Sequence, residues 1–510
     1  MAAGAALAVG YLVAELTGGP WPVDAVGVQV IDWSPGPVKD WAVRTLGTAD
    51  RPLLRVGICT TLVVAAAIAG ALAVRGRRGT AIIITAALGV VGLVFAIFSR
   101  SAASTTIDRL LPATVTLVVA VLAMMLVTRT VRRRPAGSHH PIEHHDSAKP
   151  AEPVERAEPA EQPVGFDRRR FILAVSALAV VGGGAAGASR VVGGDGGELR
   201  ARVQVPPVRD GAGPLRAGVD VPGISPFMTE NGKFYRVDTL LQVPRIDPRG
   251  WELRVHGLVD RELRLSFDDL MRRRLIERDI TLTCVSNEVG GPYVGNARWI
   301  GVPVADILRE AGVQAGADAV QSTSVDGLTI GTPLGALTDG RDAIFAVAMN
   351  GEPLPFEHGF PVRMVVPGLY GYVSATKWVT DINVTTFGGN YAYWAQRGWS
   401  QQAPIKTECR IDVPTGMNDM KPGRITVAGV AWAQHKGIEA VEVRVDYGPW
   451  HEARLAAVPG LDTWRQWAWD WDATSGGHVL QARATDKTGY TQTATMAPPE
   501  PNGATGYPQV

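Results

Sequence analysis

Three apolar runs in the first quarter of the chain restrict its fold more than any other feature of the sequence. Leu53 to Val74, interrupted only by Arg55 near its start, Thr80 to Phe98, and Leu110 to Val127 carry no other charged side chain. Each approaches the ~20 residues that a helix needs to cross a hydrocarbon layer, where every main-chain N–H and C=O must be satisfied within the segment. A shorter stretch, Ala2 to Leu16, contains Glu15 and reads as a clipped first span or a signal-like segment. Residues 1–131 are therefore expected to form an α-helical transmembrane bundle of about four helices in the cytoplasmic membrane.

Arg75, Arg77 and Arg78 crowd one short loop, and Arg129, Arg132, Arg133 and Arg134 come after the last run. The positive-inside rule places both on the cytoplasmic side, and the loop from Asp32 to Asp50 outside. These helices hold no histidine, the usual haem ligand between membrane helices, so no haem is expected. They also lack the intramembrane acids and bases that mark ion paths. An anchor or partner-docking surface is the expected role, and electron exchange with quinone would need a separate redox partner.

Residues 132–166 are a Pro, Glu, Ala and His mixture that cannot bury enough apolar area to fold, so a disordered cytoplasmic linker is expected. Its His139, His140, His144 and His145 could form only a loose metal site. At 167–190, within "FDRRRFILAVSALAVVGGGAAGASR", three arginines precede a weakly apolar helix. This reads as a fifth anchor and also resembles a twin-arginine export signal. Arg168, Arg169 and Phe171 match, while Asp167 stands where Ser or Thr is commoner. Such an address serves folded cargo, so the chain beyond the spacer at 191–220 is expected to face outward.

The remainder alternates strand-like runs ("WELRVHGLV", "DITLTCV", "VRMVVP") with helical stretches ("SFDDLMRR", "VPVADILREAGV"), which predicts mixed α+β packing. The formal net charge of +1 gives no basic face for nucleic acid. The chain's three cysteines show no CxxC or Cys/His metal spacing, so neither a disulfide framework nor a zinc site is expected. Ile280 to Thr283 reads as a buried strand ending at Cys284, which Asn287, Gly290, Gly291 and Pro292 break into a loop. A lone cysteine is more often a small buried residue, but a thiol at a strand end can point into a cavity.

Residues 221–510 resemble the sulfite oxidase family of molybdopterin-dependent oxidoreductases. "TLTCVSNEVGG" is similar to the family's metal-ligand loop, which makes Cys284 the thiolate on molybdenum. A soft, high-valent metal held by two pterin sulfurs favours a third. "MNGEPLPFEHGFPVRMVVPGLYGYVSATKW" resembles the cofactor clamp: His358 and Arg363 match residues that touch the pterin and its phosphate, and Ser374, Ala375, Thr376 and Lys377 match the segment that closes over it. Arginine suits phosphate because its planar fork binds two oxygens. By the same resemblance "NGKFYRVD" lines the cofactor with Asn231, Tyr235 and Arg236, the last also assigned to catalysis, and "STSVDGLT" contributes Ser324.

The resemblance implies a molybdopterin-binding α+β domain over 221–399 and an immunoglobulin-like sandwich over 400–510, with a short tail, of the kind used for dimerisation. Turn signals about every ten residues agree with the latter. Trp464, Trp467, Trp469 and Trp471 suggest a core face plus an interface face. Sulfite-oxidising members place a tyrosine where this chain has Val347, and an arginine in the loop where it has Tyr370 and Tyr372. The expectation is thus an extracytoplasmic two-electron oxygen-atom transfer enzyme carrying a molybdenum–molybdopterin cofactor, acting on a small molecule in a direction left open, with a cytochrome or quinone-linked partner and a possible homodimer. The alternatives are a sulfite dehydrogenase proper and a non-catalytic binding protein on the same fold.

Overall fold

In the computed structural model of the chain, residues 2–35, 49–99, 105–133, 164–166, 168–193, 196–215, 218–389, 392–416 and 421–510 are described, with isolated positions between 36 and 48. The chain divides into two units, one of Met1–Asp195 with Leu240–Gln242, the other of Gly196–Thr239 with Val243–Val510.

The apolar runs of the first unit fold as helices α1 (Ala2–Thr17), α2 (Pro22–Trp33), α3 (Asp50–Val74), α4 (Arg78–Phe98), α5 (Thr106–Thr130) and α6 (Arg168–Gly193). Among the described residues four helices, α3 to α6, are long and apolar enough to cross a membrane. The pair α1 and α2, bent by 83°, makes a fifth if taken as one broken span. Val63, Ile83, Val118 and Leu122 point outward and stay exposed. Such a surface suits lipid, where helices associate through small residues instead of hydrophobic exclusion. Gly182 on α6 meets α1 in that way, since a Cβ there would lie 3.2 Å from the Ala5 Cα.

A charge pair in this unit has one of its ends outside the three apolar runs. Asp24, buried in α2, holds the Arg55 guanidinium of α3 through two bonds of 2.8 and 3.0 Å. The helical unit therefore contains an internal charge pair, missed because Asp24 lies in a segment too short and too polar to register as a span. The linker expected at 132–166 lies outside the described residues over 134–163, with its four histidines. Its ends pair instead as a short antiparallel ladder of β1 (Val131–Arg133) with β2 (Val164–Phe166).

The second unit is α+β. One antiparallel sheet contains β5 (Ile276–Thr283), β6 (Val294–Pro303), β9 (Ile344–Met349), β10 (Glu352–Pro353) and β11 (Arg363–Val365), with β5 at one edge. All six residues of β9 are buried, so it carries an unbroken apolar run where a half-exposed strand would alternate. The other sheet joins β3 (Glu252–Gly257), β4 (Leu263–Ser266), β7 (Ala319–Ser324), β8 (Thr329–Pro333) and β12 (Val379–Thr385), with β3 and β12 parallel. The helix Val304–Ala311 buries Val304, Ile307, Leu308 and Ala311, the spacing of one helical face. Gly312 ends it at φ +72°, with its N–H bonded to the Leu308 carbonyl.

Residues beyond 400 form two further antiparallel sheets. The first orders β13 (Glu408–Val413), β14 (Gly423–Trp432), β18 (Arg465–Ala473) and β17 (Arg454–Leu455); the second orders β16 (His451–Glu452), β15 (Ile438–Val445) and β19 (Leu480–Asp486). Val427, Val441, Val443, Trp467 and Ala482 share the core between them. Trp469 and Trp471 pack against that core with Trp467, as residues two apart on a strand must. Trp464 precedes the strand and joins the larger core around β6 and β9, so the four tryptophans do not divide into a core face and an interface face.

Candidate active site

β5 delivers its last residues to the centre of the second unit. Thr281, Leu282 and Thr283 are buried, and Cys284 comes next at 8% exposure with its thiol free. The Cys284 N–H donates to the Tyr293 carbonyl at 2.9 Å, which closes the loop. Burial pushes the thiol above its ordinary value, and hydrogen bonds from Ser286 only partly offset this. Tyr235 and Tyr370 both lie within electrostatic reach of the sulfur, and burial raises each phenol first. A Cβ placed on Gly371 would lie 3.8 Å from the Tyr235 hydroxyl, the Thr283 carbonyl and the Ala375 Cβ alike. The strand end, the entry segment and the short helix Gly371–Ser374 therefore surround one space.

A cationic flank adjoins it. The turn after Phe356 brings His358 and Arg363 together because Gly359, at φ +108°, lets two chain segments approach. A Cβ there would stand 3.0 Å from the Arg363 Cβ and 3.2 Å from the Lys377 Cα, so only glycine fits. Arg363 is buried, lies over the Trp299 ring at 5.0 Å, and donates from Nη1 to the His358 carbonyl at 3.2 Å. Its Nε has no partner, and no carboxylate pairs with it among the described residues. Burial draws its pKa down to about 10. Lys377 Nζ bonds Asp238 at 2.8 Å and the Glu357 carbonyl at 3.1 Å, and burial lowers it to about 8. Arg236 shares the Asp238 carboxylate at 2.7 Å. Three cations thus face one hydrogen-bonded carboxylate, an imbalance that suits a phosphate.

His358 donates from Nε2 to the Asn231 carbonyl at 2.9 Å. Burial, then the Arg363 charge, lower its pKa to about 4, so it is neutral at physiological pH. Because the folded value lies below the unfolded 6.5, the unfolded chain binds the extra proton in between. Stability from this group is present above about pH 6.5 and lost towards pH 4, by on the order of 3 kcal/mol. The gap in thermal stability between wild type and His358→Gln, measured on the full chain in detergent, should narrow by that amount from pH 7 to pH 4. A gap independent of pH would contradict a buried neutral imidazole.

The other expected residues divide by where their side chains point. Ser324 Oγ is buried and unpartnered on β7, opposite Val379 at the start of β12. Asn231 instead bonds Glu352 at 2.6 Å, the Met349 carbonyl and Asn350. Ser374 donates to the Leu369 carbonyl at 2.9 Å, and Thr376 bonds Ser322 at 2.6 Å. These three side chains brace the frame of the site. Ala375 caps the short helix through its N–H to Gly371. Arg236 groups with Lys377 and His358 on the cationic flank.

Sequence reasoning missed Asp238, Trp299 and Asn287. Asp238 sits in "NGKFYRVD" but in sequence resembles an ordinary surface charge. Asn287 reads in sequence only as a strand breaker; its Oδ1 accepts from the Tyr293 N–H at 2.7 Å, while its buried Nδ2 has no partner. Unpartnered buried polar atoms are rare in folded proteins; Arg363 Nε lies on the flank, Asn287 Nδ2 three residues after Cys284, and Ser324 Oγ on β7 opposite Val379. The donor set fits a polar, phosphate-bearing group with a thiophilic metal at Cys284.

Comparison with known proteins agrees with this chemistry. Residues 240–394 match the oxidoreductase molybdopterin binding domain. Mitochondrial sulfite oxidase of Mus musculus is 30% identical over 289 residues, covering 48% of this chain and 52% of that protein. The uncharacterized oxidoreductase YuiH of Bacillus subtilis is 37% identical over 153 residues, 30% of this chain and 74% of that protein. The crystal structure of the sulfane dehydrogenase SoxCD from Paracoccus pantotrophus aligns with a TM-score of 0.48 at 23% identity, covering 55% of this chain and 81% of that one. The chain spans about half the length of most of the curated sulfite oxidases it matches. With three quarters of YuiH covered above 30% identity and the molybdopterin-binding domain matched, this chain belongs to the sulfite oxidase family of molybdopterin-dependent oxidoreductases.

Proposed function

We propose that this chain is a membrane-anchored oxidoreductase that transfers an oxygen atom to or from a small sulfur–oxygen compound outside the cytoplasmic membrane. The observation that carries the reading is the joining, in one buried region, of a free thiol at the end of β5 with a guanidinium that lacks a carboxylate. When bound, the molybdenum cofactor supplies two-electron oxygen-atom chemistry. Cys284 would hold the metal. Arg363, Lys377 and Arg236 would hold the phosphate, and Ser324 Oγ and Asn287 Nδ2 would complete their hydrogen bonds on the pterin. Neutral His358 fixes the turn that carries Arg363 without adding a fourth charge.

The substrate class comes from the relatives, several of which are sulfite oxidases. Val347 is buried in β9, and the Tyr235 phenol lies within electrostatic reach of the sulfur, which supports recognition by a hydroxyl donor. The arginine clusters at 75–78 and 129–134, and those opening α6, support a cytoplasmic side for the linker and an outward side for the second unit. The paired antiparallel sheets beyond 400 support the immunoglobulin-like reading, and a homodimer through that body is what the family resemblance alone suggests. A separate cytochrome or quinone-linked protein would exchange the electrons.

Expression of the full chain in a host that makes molybdopterin tests the proposal. Stoichiometric molybdenum, with cofactor absorbance that responds to sulfite or to a sulfoxide, is the expected result. Purified protein free of molybdenum would sink it.

A further inference from the structure

β5 (Ile276–Thr283) is the edge strand of its sheet, paired with β6; its other side bridges Asp210 at its start, where the Glu277 N–H donates to the Asp210 carbonyl at 2.9 Å. A single-residue slip of such a strand would turn every side chain, Cys284 included, to the opposite face. The end of that edge nearest Cys284 is covered by residues from the carboxy-terminal body. The Thr281 N–H donates to the Asp462 carbonyl at 2.9 Å. Gln434, 2% exposed, donates from Nε2 to the Thr281 carbonyl at 3.1 Å and to Thr283 Oγ1 at 2.9 Å. Thr281 Oγ1 accepts from the Trp464 N–H at 2.7 Å and donates to Asn296 at 2.9 Å.

The loop that returns from Cys284 is held from the same side. Arg410 on β13 donates from Nη1 to the Gly291 carbonyl at 2.9 Å and from Nη2 to Ser225 Oγ at 2.8 Å, while Asp412 fixes its Nε at 2.7 Å. Gly291 has no slack, for a Cβ there would fall 2.8 Å from Asn287 Oδ1.

We propose that the carboxy-terminal body is a clamp that sets the position of Cys284, with Gln434 and Arg410 as its positioning residues on the two arms of the hairpin. The clamp's importance to catalysis rests on the reading of Cys284 as the metal ligand; its existence does not. It assigns this body a task in the active site of its own chain, separate from any part in dimerisation.

Two buried cysteines make the test internal. Cys284 lies on the clamped loop, and Cys409 lies in the core of the carboxy-terminal body. The cofactor-free full chain in detergent is alkylated with iodoacetamide, and labelling of each cysteine is followed by peptide mass. Gln434→Met keeps the volume but removes the donor, and Arg410→Ala frees the other arm. Either should raise Cys284 labelling about tenfold and leave Cys409 unchanged. Val443→Ala, which weakens the same core without touching either arm, should raise Cys409 at least as much as Cys284. An unchanged Cys284 rate, or an equal rise at both cysteines, in the two positioning variants overturns the clamp. A wild-type protein that never carries molybdenum would defeat the ligand assignment and leave this comparison intact.

Discussion

Replacing Arg363 by Met should empty the site of cofactor and at the same time steady the cofactor-free protein. The two effects have one cause. The guanidinium is buried, its Nε has no partner, and burial already draws its pKa down to about 10. A buried cation without a counter-ion opposes folding, and the Trp299 ring and one carbonyl offset only part of that. A bound phosphate would complete the pair through charge-assisted bonds, and loss of one partner from such a buried pair costs about 2–5 kcal/mol. Molybdenum retained after desalting should therefore fall by roughly 30-fold or more. Thermal unfolding of the cofactor-free variant should occur at a higher temperature than that of cofactor-free wild type, on the order of 1–3 kcal/mol in stability. A variant that is less stable without cofactor would show that Arg363 is a structural cation with partners of its own.

Cys284→Ser should abolish turnover, by a factor of at least ~1000, while the chain folds as before. Serine fills nearly the same volume at a site where the thiol makes no side-chain bond other than those from Ser286, so stability should change by less than about 1 kcal/mol. Hydroxyl oxygen is a poorer match for a thiophilic metal. Retained molybdenum with lost activity would fit a ligand that tunes the metal, because under the proposed assignment Arg363, Lys377 and Arg236 would still hold the phosphate. Full activity in the serine variant would remove the sulfur from the chemistry altogether.

The parts of this arrangement that are legible in the sequence are those governed by local rules. Apolar runs about 20 residues long announce α3, α4 and α5, and the run up to Thr283 with the Gly-Gly-Pro break announces the strand end at Cys284. The family motifs name Tyr235, His358, Arg363 and Lys377, and the fold brings these together. What escapes is non-local. Asp238 acquires its role only because Lys377, 139 positions away in sequence, folds onto it. Gln434 lies in a stretch of ordinary strand and turn composition, and its contact with Thr281 spans 153 positions. Asp24 is hidden for a related reason, since its ion pair with Arg55 gives no periodic signal. Side chains such as Asn231 and Thr376 are visible as polar residues in the right motifs, but their partners, Glu352 and Ser322, come from other strands.

The most direct test of the central claim is X-ray absorption at the molybdenum edge, on full-length protein from a molybdopterin-making host, compared with Cys284→Ser. The account predicts a metal shell in the wild type with one sulfur more than in the variant. Identical sulfur shells in the two proteins, or a wild type without molybdenum, would contradict it.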